Sequence, residues 1–142
     1  MIKTMLLPDN NGNSIVNTST YIEPSLTYNL DYGTDSQMRG YCDELTAMRQ
    51  AIYKIINTER YLYLIYSWNY GIELADLFGQ PIPYIYAELQ RRISEALLND
   101  DRITKVYSFE FNNKREDVFV TFTVDTIYGT VTGLRKELIA SV

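Results

Sequence analysis

Residues 51–74 read AIYKIINTERYLYLIYSWNYGIEL, and how this stretch divides decides how the chain folds. A helical pattern stops at Asn57-Thr58, a Glu59-Arg60 pair follows, and an aromatic run then leads to Gly71. Tyr61, Tyr63, Tyr66, Trp68 and Tyr70 fall in that run, with Tyr53 upstream of the charged pair. Such a segment is too apolar for water and too rich in hydroxyls and charge for plain core. Tyr and Trp join a large apolar body to a polar tip, a combination that protein interfaces favour. The stretch reads as a place where the core merges with a surface for another protein.

Upstream, Asp43 is placed as an N-cap with Glu44 in the first turn. Leu45, Met48, Ile52, Ile55 and Ile56 keep a helical spacing and make one apolar face, with Arg49, Gln50 and Lys54 on the other. The β-branched pair Ile55-Ile56 and then Asn57-Thr58 weaken the helix, so it should end there. Residues 61–66 are expected to form a strand packed on it. Gly71 turns the chain in a conformation other residues resist, and residues 72–78 suit a short helix closed by Gly79.

Downstream, Pro81 and Pro83 suit the first turn of a second helix. Ile82, Ile85, Leu89, Ile93, Ala96 and Leu97 make its buried face, and Asn99-Asp100-Asp101 stops it. Glu88, Arg91, Arg92 and Glu95 are expected to face water, in pairs contributing about 0.2–0.5 kcal/mol each. Then come two alternating runs, Tyr107-Phe109-Phe111 and Val118-Val120-Phe122-Val124, joined by a turn at residues 113–116. They read as a hairpin with one face buried. Phe119 stands on the outer side. Residues 127–131 extend the second strand past a kink at Gly129, and LRKELIASV (134–142) is either a short helix or a loose end.

Before the first helix, LTYNLDY (26–32) alternates as a half-buried strand, with Leu26, Tyr28, Leu30 and Tyr32 inward; residues 33–36 turn and Gly40 breaks the loop. Residues 1–24 form an extended arm ahead of a compact domain at 25–142. Its polar middle cannot offset the entropy of ordering. Its apolar front (Ile2, Met5, Leu6, Leu7) either frays or docks on a neighbouring subunit. The fold class is therefore α+β: a small mixed sheet, two main amphipathic helices on one face, a C-terminal hairpin and an extended N-terminal arm.

Composition narrows the function. The formal net charge is −5, and the Lys and Arg residues are scattered, so a phosphate-backbone partner is not expected. Histidine is absent, which removes the commonest general base and metal ligand. Cys42 is the sole cysteine, so no internal disulfide or thiolate cluster can form. No apolar run reaches the ~20 residues that cross a bilayer. MIKTMLLP is followed at once by DNNGNS, without the h-region and cleavage site of a signal peptide, so synthesis in the cytoplasm is expected. Thirteen of 142 residues are tyrosine, an excess that suits a surface meeting neighbours.

Glu59-Arg60 is the pair to single out. Opposite charges at the end of a buried helix, followed by aromatic residues, point to partial desolvation. Arg's planar fork can then satisfy carboxylates or carbonyls on a second chain. A glycosidase would need a second carboxylate across a sugar cleft. Asp31, Glu73 and Asp76 are available, but nothing in the sequence fixes their distance from Glu59. No catalytic residue, cofactor or metal is expected.

INTERYLYLIYSWNYGIEL (56–74), the helix ending ALLNDDRITKV (96–106), and the hairpin FEF with VFVTFTVDTIYG carry a resemblance across residues 26–130. They are similar to the baseplate wedge, or sheath-initiator, family of contractile phage tails, in the branch of Gram-positive prophages and tail-like bacteriocins. Glu59-Arg60 and Tyr70-Gly71 match its Glu-Arg motif and its aromatic-Gly turn. The chain departs in carrying Thr58 where Gly is common, Trp68 where Pro is usual, and a longer spacing from Arg60 to Gly71.

The resemblance implies a structural baseplate protein, not an enzyme. It implies a protein that joins wedge subunits and offers strands to the first ring of sheath subunits, in the baseplate of a phage or phage-tail-like particle. Glu59, Arg60, Tyr61, Tyr63, Trp68 and Tyr70 would meet the wedge. Phe119, Val124, Thr126, Tyr128 and Val131 would mark the sheet edge. The arm would reach tail tube or hub proteins, and neither nucleic acid nor membrane is expected. Some members have carried a lysozyme label, which here would make the chain a peptidoglycan hydrolase with Glu59 as its acid.

Overall fold

The computed structural model of the chain describes residues 2–8, 14–20, 22, 24–30 and 37–139, the first two segments as backbone alone. The Asp43 carboxylate accepts from the Glu44 backbone N–H at 2.7 Å, and α1 (Glu44–Ile56) runs from that cap. Ala47, Met48, Ile52, Ile55 and Ile56 are buried, whereas Leu45, expected on the same face, is 38% exposed. Asn57 closes the helix, its backbone N–H and side-chain amide both donating to the Tyr53 carbonyl.

Gln50 is expected on the wet face, yet it is buried. Its amide donates to the Tyr28 carbonyl at 2.8 Å and its oxygen accepts from the Leu30 N–H at 2.9 Å. The side chain thus bonds β3 (Thr27–Leu30) much as a neighbouring strand would, and fixes β3 and its antiparallel partner β4 (Met38–Cys42) on α1. Because a polar group holds the inner side, the apolar residues turn outward: Leu26 and Tyr28 are 62% and 59% exposed, and Tyr28 stacks on Tyr41. That corrects the inward placing of both residues. Gly40 lies within β4; the turn expected at 33–36 lies outside the described residues, as do Asp31 and Tyr32.

Pro81 precedes α2 (Ile82–Leu98), Pro83 sits in its first turn, and Ile85, Leu89, Ile93, Ala96 and Leu97 are buried as expected. Three strands follow, β5 (Ile103–Lys114), β6 (Asp117–Thr126) and β7 (Gly129–Leu138), in antiparallel order β5-β6-β7. Val118, Val120, Phe122 and Val124 of the central strand are fully buried, facing α1 beside β7 and α2 beside β5.

The third strand corrects the expectation of a helix or loose end after Gly133. Phe122 faces Leu134 but Val124 faces Val131, so β7 carries one extra residue there, at Gly133 with φ +68. Such a bulge breaks the two-residue period, which is why the alternation is hard to see. Val131, Leu134 and Leu138 are nonetheless core residues.

At the N-terminus, β1 (Ile2–Pro8) pairs antiparallel with β2 (Ser14–Thr20), where no element is expected. The α+β class, the two helices and the C-terminal hairpin are as expected. The strands, however, form separate antiparallel sheets rather than one mixed sheet.

Past α2, the Arg102 Nε and Nη2 donate to both oxygens of Asp100 at 2.9 and 2.7 Å, and Nη1 donates to the Pro24 carbonyl. Burial pushes the Asp100 carboxyl up, but the side chain and backbone N–H of Arg102 outweigh it and hold it below its ordinary value. A lowered carboxylate contributes stability above its unfolded pKa and loses it as pH falls through the folded one. The urea midpoint should therefore drop below about pH 4, and Asp100→Asn should flatten that part of the pH profile. An unchanged profile in the variant would remove this pair as its cause.

Candidate interaction surface

Residues 61–66, expected as a strand on α1, instead form the turns of a loop. Its ends are closed by two backbone bonds: the Arg60 N–H donates to the Ile72 carbonyl at 3.1 Å, and the Ile72 N–H to the Thr58 carbonyl at 2.9 Å. Close ends with the chain projecting between them make an Ω-type loop. This closure keeps the segment from lying extended beside another strand. Gly71 permits it. Its φ is +91, and a Cβ there would stand 2.6 Å from the Thr58 carbonyl oxygen.

Glu59 and Arg60 serve the closure. Both Glu59 oxygens accept from the Leu74 N–H, at 3.1 and 3.2 Å, and Oε1 also accepts from Ala75. The carboxylate thereby caps a single 3-10 turn at Ala75–Leu77 that replaces the expected helix over 72–78. The Arg60 guanidinium, its side chain 11% exposed, donates through Nε and Nη2 to the Gly71 carbonyl and through Nη1 to Glu95. Glu73 stands 3.7 Å from the same Nη1. The two charges are satisfied inside the chain.

Arg92, expected to face water, is likewise drawn in. Its guanidinium meets Glu88 and Asp76, each at 2.9 Å, and the Glu73 carbonyl at 2.7 Å. Arg92 holds the Asp76 carboxyl below its usual range, and hydrogen bonds from Arg91 and then Arg92 do the same for Glu88. Arg60 and Arg92 together fix residues 71–77 against α2.

What projects from this frame is apolar. Leu64 is fully exposed, Ile65 is 86% and Trp68 82% exposed, and Tyr61, Leu62 and Tyr63 are more than half exposed. Tyr66 stacks on Tyr70 at 4.5 Å and meets Tyr63 edge-on, while the Asn99 amide donates to the Asn69 carbonyl. Tyr70 is thus an inner support, and burial pushes its hydroxyl pKa up. Leu62, Leu64 and Ile65 are not among the expected contact residues; their signal is the apolar run from Tyr61 to Tyr66 without a polar alternate, which no half-buried strand would carry.

The other expected positions scatter. Phe119 is half-buried on the outer sheet face, with the Arg135 guanidinium 4.7 Å over its ring. Val124 and Thr126 lie in the central strand, paired to both neighbours, and their side chains are buried, so neither offers a free edge. Tyr128 occupies the β6–β7 turn against the core, and Val131 brings only backbone to the margin of β7. Loop and sheet margin are two places, not one.

The chemistry of hydrolysis finds no footing here. Both Glu59 oxygens are taken by backbone N–H groups, Glu73 pairs with Arg60 and Asp76 with Arg92. Asp31 lies outside the described residues. Among those described, no group of three or more His, Cys, Asp or Glu is placed to hold a metal, and no helix is long and apolar enough to cross a membrane.

Comparison with known proteins gives two findings. The family described as contractile injection system sheath initiator matches residues 26–129. The chain is also 37% identical, over 129 residues that cover 89% of it and 92% of the relative, to the phage-like element PBSX protein XkdS of Bacillus subtilis strain 168.

Proposed function

The chain belongs to the contractile injection system sheath initiator family, a structural family rather than an enzyme family, and from that premise we propose how it acts. It joins baseplate wedge subunits through the loop at residues 61–70. It begins the sheath by accepting a strand from the first ring of sheath subunits on the outer margin of β7. The N-terminal hairpin, in a sheet of its own, is the part that reaches tail tube or hub proteins.

One observation carries the sheath assignment: among the described residues β7 is paired with β6 only. A margin of unpaired N–H and C=O groups is what strand addition uses. The opposite margin, β5, shifts register twice, between Ile103 and Lys105 and between Tyr107 and Glu110. In β7 the single break leaves residues 134–138 in continuous register with 118–122.

Proline scanning of β7 tests this. At positions whose N–H turns away from β6, proline removes no internal bond. Those variants should melt within a few degrees of the wild type yet yield baseplates without sheath. Equivalent prolines on the outer margin of β5 should leave sheathed tails. Folded β7 variants that support normal sheaths would refute the assignment.

A further inference from the structure

The loop that we assign to the wedge has a tip, and the tip has a chemistry. We infer that Leu64 and Ile65 are a knob that enters an apolar cleft of a baseplate protein, while Glu59 and Arg60 touch no partner and act by holding the loop closed behind it. This rests on the reading that the loop joins the baseplate, and says what it joins to.

Area is the first argument. With aromatic side chains presenting about 150–250 Å² each, the exposed crown of Tyr61, Leu62, Tyr63, Leu64, Ile65 and Trp68 offers on the order of 800 Å². That is one partner's share of a standard-size interface. The largest apolar patch on an ordinary monomer is about 300–600 Å².

Charge is the second. Residues 61–70 contain no ionisable acid or base other than tyrosine. At the loop's base Arg60 pairs with Glu73 and Glu95. The matching surface is therefore uncharged and apolar. An anionic lipid surface is not matched by a chain of net charge −5 that has no basic residue on the crown.

Shape is the third. Leu64 is fully exposed and Ile65 nearly so, in the middle of the span between the closing residues Arg60 and Ile72, an arrangement that a concave partner fits. A two-fold contact between copies would set one convex crown against another.

The experiment supplies the full chain in trans to cells whose tail element lacks it, and counts copies per purified particle against a second baseplate protein. The pair Leu64→Asp with Ile65→Asp should reduce the count at least tenfold while the thermal midpoint of the purified chain stays unchanged. The milder pair Leu64→Ser with Ile65→Ser repeats the test should the aspartates fail to fold. Normal counts from the tip pair, with loss from Tyr61→Asp and Trp68→Asp, would overturn the knob but keep the loop as the joint. Normal counts from all of these would remove the joint as well. A concentration-dependent dimer lost in the tip pair would make a second copy the occupant. Flotation with neutral phosphatidylcholine vesicles that needs Leu64 and Ile65 would make it a bilayer. Either result overturns the inference.

Discussion

Gly71→Ala should lower the stability of this chain by about 3 kcal/mol, moving its thermal midpoint down by roughly 10 °C. Holding a non-glycine residue at left-handed φ costs about 1–2 kcal/mol, and Gly71 sits at φ +91. The added Cβ would stand 2.6 Å from the Thr58 carbonyl oxygen. That oxygen cannot simply give way, since it accepts the Ile72 N–H that closes the loop. Moving it weakens a hydrogen bond worth about 1 kcal/mol. Amide exchange over residues 60–72 should quicken more than in the β5–β7 sheet. A midpoint within two or three degrees of the wild type would show that the loop closes by other means.

Arg60→Ala comes second, at about 2 kcal/mol. The loss takes two N–H donors from the Gly71 carbonyl in a half-buried site, and an under-satisfied buried acceptor costs about 1–3 kcal/mol. The ion pair contributes less, because Glu73 and Glu95 are each about half exposed, at 49% and 50%. A double-mutant cycle between Arg60 and Glu95 should thus give a coupling below about 1 kcal/mol. Arg60→Lys should recover little, since one ammonium does not reproduce a planar fork donating to a carbonyl and a carboxylate together. A coupling as large as the whole loss would put the ion pair, not the carbonyl, at the centre.

Both results bear on what Glu59 and Arg60 do. As contacts with a second chain, their replacement would leave the isolated domain untouched. Because Glu59 caps residues 74–75 and Arg60 ties Gly71, their replacement loosens the loop itself. Deleting the chain after Gly129, likewise, would not merely strip an edge. It would remove Val131, Leu134 and Leu138 from the core.

Where the sequence was legible, local chemistry and burial agreed. Asp43 before an apolar three/four pattern gave α1, the prolines at 81 and 83 before another gave α2, and strict alternation gave β6. The loop reads as a strand because aromatic and β-branched residues favour strands, while its closure depends on two backbone bonds and one glycine that no periodicity records. β7 is hidden by an extra residue at Gly133 and by the charged run Arg135-Lys136-Glu137, which leaves Leu134 and Leu138 as its only apolar markers there. Polarity alone sets Gln50 and Arg92 on wet faces. Their partners, the backbone of residues 28–30 and a set of carboxylates, lie far off in sequence. In the loop, the Glu59-Arg60 pair is visible in the sequence, but its bonds to Gly71, Leu74 and Glu95 depend on the closed fold and are not.

The proposed joint is completed by other subunits at two separate places, and cryo-electron microscopy of a baseplate carrying its first sheath ring would show both. A sheath strand hydrogen-bonded along the outer margin of β7, with residues 61–68 buried in a wedge protein, is the predicted result. A β7 margin facing solvent in a fully sheathed tail would contradict it.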